Sequence, residues 1–443
     1  MPDRPPSQFA LLTTRRYLPL FLVLFLGALN DQVFKNAFIA LVTFVIATKA
    51  GMVPFMGLDV SLDTFSLVAN ILFILPFALI APTAGQITDQ LDKAVMIRFV
   101  KLTEIMIMSV AVLSYLYHQV ELLLLVLFLT GAQSAIFGPV KYAVLPQYLT
   151  KDELLGGNGL AQAATFLAII FGTIMGTQII LIPHVGTIAV SVSVMVIAIA
   201  GYIAARFALS APPLGKPGKV DWVLPRAAWN LVKSCRSRGA AFAAILLIAW
   251  FWFVGVAFMS LLGAYTKTVL QADANVLTAL LTCFSIGVAI GALLANRIAQ
   301  GGSGLAETPW AALALGCLAV LLWFVTPEGK PGADIGIFAF LSTPNGVGVF
   351  LCFIGLAVAG GIYITPLNTL LQRAAPRRQR AQYIACSNVV DSCGMVLSGI
   401  FGLILGTAGL VSVDIFAVFG LTALPIAICC ARLTPGHVLR FGR

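Results

Sequence analysis

The sequence predicts an all-α polytopic membrane protein of twelve transmembrane helices, and three observations predict it. Of its 443 residues, 60% are hydrophobic and 10% charged, with a mean hydropathy of +1.00. That composition excludes a soluble globular chain and a disordered one. Apolar runs near 17–47, 62–88, 94–117, 121–148, 154–182, 185–209, 240–266, 273–299, 308–327, 346–372, 382–409 and 411–432 are long enough to cross a bilayer. An even number of spans puts both termini on one side, and the segments on that side hold 21 Lys and Arg against three, Lys49, Lys267 and Lys330, on the other. This positive-inside bias makes the termini cytoplasmic, so the net charge of +10 reports orientation rather than a nucleic-acid partner.

The first run reads as a span retained in the protein, because it is too long for a signal-peptide core and lacks a small-residue cleavage site. It contains LNDQVFKN, with Asp31 near mid-membrane, Lys35 four residues on along the same helical face, and Asn36 beside them. Ionised groups cost about 2.5–3.5 kcal/mol each at the bilayer centre and face a bundle interior or a wet cavity. Two readings follow: a self-neutralising Asp/Lys pair between helices, or a substrate or ion site. The second run carries Pro76 and Pro82, which predict a kink. Gly85, Asp89, Asp92, Lys93 and Arg98 cluster where it meets the third run.

In the third run Lys101 and Glu104 lie three apart, as an intrahelical ion pair or as part of a site. The fourth run offers small residues for close helix contact at Gly131, Ala132, Ser134 and Ala135. Gly138-Pro139 then predicts irregular backbone beside Lys141 and Tyr142, which is how a cavity wall is built in a membrane. Asp391 in the eleventh run has no cationic neighbour on its own helix, so it pairs across a cavity or stays protonated.

The two halves echo one another. A shift of 227 residues places Pro139 on Pro366, Lys141 on Asn368 and Gly172 on Gly399, and a shift of 228 places Gly27 on Gly255. Asp31, Lys35 and Lys141 have no charged counterparts, so the N-terminal half carries most intramembrane charge. The expected organisation is an N-terminal six-helix bundle over 1–209, a cytoplasmic linker over 210–239 and a C-terminal bundle over 240–443. Within the linker, Trp222, Val223, Ala227, Trp229, Leu231 and Val232, interleaved with Arg226, Lys233 and Arg236, suit a short helix on the leaflet surface, in contact with membrane lipids.

Several of these stretches resemble a known family. Glycine, three residues, aspartate and following basic residues, as in Gly85, Asp89 and Lys93, resemble the loop motif of the major facilitator superfamily, with Gln90 where that motif carries arginine. The run from Phe137 to Ala143, Asn158-Gly159-Leu160, the LNDQ of span 1, ITPLNTLLQ around Asn368 and SNVVDSCGM around Asp391 resemble bacterial lysophospholipid transporters of that superfamily. The resemblance implies two pseudo-symmetric six-helix bundles and a conformational latch at Gly85, Asp89, Asp92, Lys93 and Arg98. It further implies a binding site drawn from Asp31, Lys35, Asn36, Lys101, Glu104, Lys141, Tyr142, Asn368 and Asp391. The implied activity moves lysophosphatidylethanolamine, and by extension lysophosphatidylglycerol, from the outer to the inner leaflet of a bacterial inner membrane, for reacylation by a cytoplasmic-side acyltransferase. Span 7 departs from the pattern: Met259 stands where the family carries an arginine.

Other classes find little support. His118, His184 and His437 have no acidic or cysteine cluster at ligand spacing. Seven of the eight cysteines lie in apolar runs, Cys235 lies in a basic loop, and none forms C-x-x-C, so neither disulfides, metal nor redox cofactors are expected. No P-loop appears. A lipid enzyme needs a nucleophile and base within the bundle, and no such constellation is present. The remaining alternative is a proton-coupled transporter of another amphiphile or drug, with Asp31 as the proton carrier.

Overall fold

The computed structural model describes residues 7–47, 52–55, 58–215, 218–237, 239–299, 302–327 and 335–433. Lys49, Lys330 and His437 lie outside them. Helix α1 (Leu18–Leu41) continues through a π-turn (Val42–Ile46) to a two-stranded hairpin, β1 (Met52–Phe55) and β2 (Leu58–Ser61). The strands are antiparallel, with Met52 opposite Ser61, a small β element that the all-helical expectation does not include. Then come α2 (Leu62–Leu79), α3 (Ala81–Gln90), α4 (Lys93–Leu116), α5 (Val120–Tyr148), α6 (Leu154–Ile180) and α7 (Gly186–Arg206). A connecting helix, α8 (Leu224–Cys235), precedes α9 (Gly239–Ala264), α10 (Ala274–Ile298), α11 (Thr308–Val325), the short α12 (Ile337–Leu341), α13 (Pro344–Ala374), α14 (Arg380–Thr407), α15 (Ser412–Leu421) and α16 (Ala423–Arg432).

Among the described residues, ten helical stretches are long and apolar enough to cross a membrane, with α15 and α16 together forming one. The pair α2–α3, bent by 44°, makes an eleventh. Pro82 supplies the bend, since its ring and missing N–H cannot continue the turn begun in α2. Helix α4, 24 residues long and carrying Lys101 and Glu104, completes twelve crossings; it packs within the N-terminal bundle against α5 and α7. The expected break at Gly138-Pro139 is absent. Helix α5 runs through both Pro139 and Pro146, as α13 does through Pro366, because neighbouring groups in a membrane bundle accommodate the displaced carbonyls.

Each half buries its own core. In the N-terminal half α1 packs on α6 and α7, and α2 on α5; in the C-terminal half α10 packs on α13, α9 on α14, and α11 on α13, α15 and α16. The halves meet along α6–α10, α3–α14, α5–α14 and α6–α13. Pro139 and Pro366 fall on α5 and α13, the fourth crossing of each half, as the repeat predicts. Glycine sets the tightest approaches: a β-carbon on Gly176 of α6 would stand 2.4 Å from the Val33 carbonyl of α1, and one on Gly291 of α10 would stand 2.0 Å from the Val358 carbonyl of α13. Such backbone contact is how helices associate where lipid removes the hydrophobic drive.

Helix α8 is amphipathic. It buries Ala227, Leu231 and Cys235 against α3 and α14 and exposes Trp229; Trp222, just before the helix, is exposed as well. Cys235, read from sequence as a loop residue, is thus a packed one, because it falls on the apolar stripe of the helix expected in this linker, and that stripe packs on α3 and α14.

Alanine at Gly176 or Gly291 should cost about 1–3 kcal/mol of stability by overpacking. Gly399→Ala, with nothing within 4 Å of the added carbon, should leave the melting temperature of the purified protein unchanged.

Candidate functional site

The intramembrane charges fall into two groups with different surroundings. Lys101 is fully buried and Glu104 2% exposed. Lys101 Nζ pairs with Glu104 Oε2 at 2.6 Å, Gln133 donates to the same oxygen at 3.3 Å, and Asn30 donates to Glu104 Oε1 at 2.8 Å. Gly27 of α1 leaves the space that the ammonium fills, since a β-carbon there would lie 2.6 Å from Lys101 Nζ. The cluster ties α1, α4 and α5 together. Its polar atoms are largely spent on one another, which sets Lys101 and Glu104 apart from groups free to meet a ligand.

The second group keeps its capacity. Asp31 Oδ2 accepts a hydrogen bond from Ser134 Oγ at 2.6 Å. Lys35, one turn on, makes no ion pair with it: its ammonium lies 5.4 Å from the centre of the Phe73 ring. The self-neutralising pair is therefore not formed. Asn36 turns away to Gln32 and to Thr173 of α6. Lys141 Nζ sits 4.8 Å from the centre of the Tyr142 ring and within electrostatic reach of Asp31. Among the described residues neither Lys35 nor Lys141 has an ion-pair or hydrogen-bond partner. Tyr142 donates to Gln162 of α6 at 2.8 Å. Asn368 spends one amide hydrogen on the Ile364 carbonyl of its own helix. Asp391 is 8% exposed, receives only a 3.3 Å bond from Ser387, and has one oxygen without a donor. Met259 rests against the apolar core of the C-terminal half, so span 7 contributes a methylene surface there instead of a cation.

The structure thus sets Asp31 of α1 against Ser134 of α5, and Lys141 and Tyr142 of α5 among Leu24 of α1 and Ala161, Gln162 and Thr165 of α6. Asn36 and Asn368 are turned to partners of their own. Gln133 and Gln162 are polar residues that sequence reading passed over, whereas Ser134 was read only as a small residue and Asn30 and Asn388 only within motifs resembling the family. Their signal was present, since Asn30 adjoins Asp31 and Gln133-Ser134 is a polar pair within an apolar run.

The five loop residues also divide. Gly85 lies against Ala385 and the Ala381 carbonyl of α14. Asp89 accepts from the backbone N–H groups of Ala381 (3.0 Å) and Gln382 (3.1 Å), and from the Gln382 side chain (3.3 Å). A carboxylate there satisfies the free N–H groups of α14 and complements its dipole. Asp92, Lys93 and Arg98 stay within the N-terminal half: Asp92 caps α4 through Ala94 N–H and accepts from Ser210 and Ala211, Lys93 N–H donates to the Ala211 carbonyl, and Arg98 donates to the Ala208 carbonyl. More bonds join the halves at the same end: Asn158 and Gln372 exchange hydrogen bonds at 2.8 Å, Asn158 donates to Thr369, Arg373 donates to the Lys151 carbonyl, and Gln8 donates to the Leu293 carbonyl at 3.0 Å. At the far end, Leu403 and Ile404 of α14 are exposed, and Gly399, Gly402 and Gly406 have open space beside them.

A twelve-crossing pair of bundles joined at one end, with charge at mid-depth, is the construction of a membrane transporter, and the chain belongs to the Major Facilitator Superfamily, whose pattern matches residues 20–357. Within it, the chain is 26% identical over 413 residues to the lysophospholipid transporter LplT of Citrobacter koseri, covering 91% of this chain and 92% of that one. It is 24% identical over 402 residues to LplT of Enterobacter sp. strain 638, covering 89% and 90%. The human organic anion transporter MFSD10 superposes with a TM-score of 0.70 at 13% identity, over 94% of this chain and 99% of that one. The E. coli fucose:proton symporter FucP gives 0.66 at 14%, over 95% and 100%. At those identities the solved structures establish the fold alone.

Glu104→Gln should destabilise the protein by about 3–5 kcal/mol, because it leaves the Lys101 ammonium buried without its countercharge. Lys141→Ala, which breaks no pair, should melt within a few degrees of the parent in the same detergent.

Proposed function

We propose that this transporter carries lysophospholipids by alternating access, taking them from the outer leaflet of a bacterial inner membrane to the cytoplasmic leaflet. The observation that carries the reading is Lys141: an intramembrane ammonium in the last third of α5 without an ion-pair or hydrogen-bond partner among the described residues, within electrostatic reach of the Asp31 carboxylate and on a helix that packs against α14 of the other half. A lipid phosphate supplies the charge Lys141 lacks, and an ethanolamine ammonium supplies one for Asp31. The acyl chain is left to the apolar helix surfaces. The names and coverage of the similar LplT proteins support the same substrate class.

With both termini cytoplasmic, the joined end faces the cytoplasm and the described conformation faces outward. Asp89 on α14 and the Asn158–Gln372 pair then act as the inner gate, with Asp92, Lys93 and Arg98 holding the loop in place. Inward opening has to break these bonds. Reacylation by a cytoplasmic acyltransferase would draw the transported lysolipid onward.

Charge-assisted bonds of this kind are worth about 1.5–3 kcal/mol. In proteoliposomes, Lys141→Ala should therefore lower lysophosphatidylethanolamine transport by roughly 10- to 150-fold, and Lys141→Arg should recover part of it. Asp31→Asn should harm ethanolamine substrates more than glycerol ones. Normal transport by a stable Lys141→Ala protein would refute the phosphate assignment, and strict dependence on a proton gradient with no lysolipid movement would favour a proton-coupled carrier of another amphiphile.

Orientation is tested at α8. Since Cys235 is buried, Trp229→Cys is the better reporter, in a chain whose exposed Cys317, Cys393 and Cys429 are replaced by alanine. It should react with a permeant maleimide in intact cells and resist an impermeant one; labelling by the impermeant reagent would invert the topology.

A further inference from the structure

Across the seam from Gly138 of α5, α14 presents two polar atoms without a partner among the described residues. Asn388 and Asp391 are three residues apart and share a helical face. Asn388 Nδ2 reaches within 2.7 Å of the point a β-carbon on Gly138 would occupy, so the glycine of α5 makes room for the amide. Gly138, Lys141 and Tyr142 lie within one turn of one another on that helix. Among the described residues, Asn388 Nδ2 has no acceptor and Asp391 Oδ1 no donor, although both atoms are shielded from solvent. Asp391, 8% exposed, has among the described residues only Ser387 at 3.3 Å on its other oxygen and no Lys or Arg within ion-pair distance.

One unsatisfied donor beside one unsatisfied acceptor is the complement of a hydroxyl group, which alone among common lipid groups both donates and accepts at a single oxygen. We infer that Asn388 and Asp391 form a subsite for the free glycerol hydroxyl of the transported lipid, Asn388 donating to its oxygen and Asp391 accepting its proton. The inference rests on the lysophospholipid reading. A 1-acyl lysophospholipid carries that hydroxyl on the carbon next to the phosphate-bearing one, and Gly138, the residue of α5 that Asn388 approaches, lies one turn from Lys141, so one lipid would offer its phosphate to Lys141 and its hydroxyl to Asn388 and Asp391. A diacyl lipid offers an ester there, which only accepts; it leaves the Asp391 oxygen unpaired and brings a second acyl chain to a packed seam. Asn388 and Asp391 are thus specificity-determining residues that separate one-chain from two-chain lipids, a task neither Lys141 nor Asp31 performs.

The full-length protein in proteoliposomes is to be assayed with 1-acyl lysophosphatidylethanolamine, its 2-deoxy analogue and its 2-methoxy analogue. The parent protein should favour the hydroxyl compound by roughly tenfold or more over each, as a site built around a hydroxyl rejects analogues lacking it. Asp391→Leu should bring the methoxy and hydroxyl compounds within about twofold, since the methoxy group lacks only the proton that Asp391 accepts, whereas Asp391→Asn, which keeps an acceptor oxygen, should retain part of the preference. Both variants should keep the ethanolamine-over-glycerol preference assigned to Asp31, which a general loss of structure would not spare. Equal transport of all three compounds by the parent overturns the subsite while leaving lysolipid transport intact; no transport of any overturns both. The comparison within the parent decides the question even where a variant fails to fold.

Discussion

Every polar group carried into the hydrocarbon layer must find its partner inside the protein, because no water is there to supply one. The buried Lys101–Glu104 pair is the clearest consequence. Asn30, Gln133 and the cavity left by Gly27 exist around it, and together they fix how α1, α4 and α5 meet. With that cluster satisfied, the N-terminal bundle has a rigid frame on which Asp31 and Lys141 are held without being neutralised by each other. The same constraint separates two kinds of intramembrane charge: Lys101 and Glu104 are spent on each other, whereas Asp31 and Lys141 form no ion pair among the described residues.

The seam between the halves obeys the rule differently. At one end, backbone N–H groups of α14 meet Asp89, and amide side chains of α6 and α13 meet each other, so directional bonds there add to the apolar contact of α6 with α10 and α13. Such bonds make the joint specific in geometry. Gly85 and the helix start it rests on allow the close approach that brings the Asp89 carboxylate within hydrogen-bond range. Deeper along the same seam, Gly138 performs the equivalent service for Asn388.

Much was determined by the sequence alone. Twelve crossings, the kink at Pro82, the correspondence of Pro139 with Pro366 and the amphipathic character of 224–235 follow from hydropathy, proline chemistry and spacing, all of which act locally. Asp31, Lys141 and Asp391 stood out because charge in an apolar run is costly wherever the run packs. What only the tertiary structure decided is which of these charges are paired. Lys101 and Glu104 satisfy each other, whereas Asp31 and Lys35, at equally favourable spacing, do not, because Ser134 of α5 and Phe73 of α2 intervene from other helices. The unbroken course of α5 through Pro139 and the burial of Cys235 likewise depend on neighbours far away in sequence. Spacing along a helix fixes the face a side chain shares, but the partner that meets that face comes from another part of the chain, and only packing selects it.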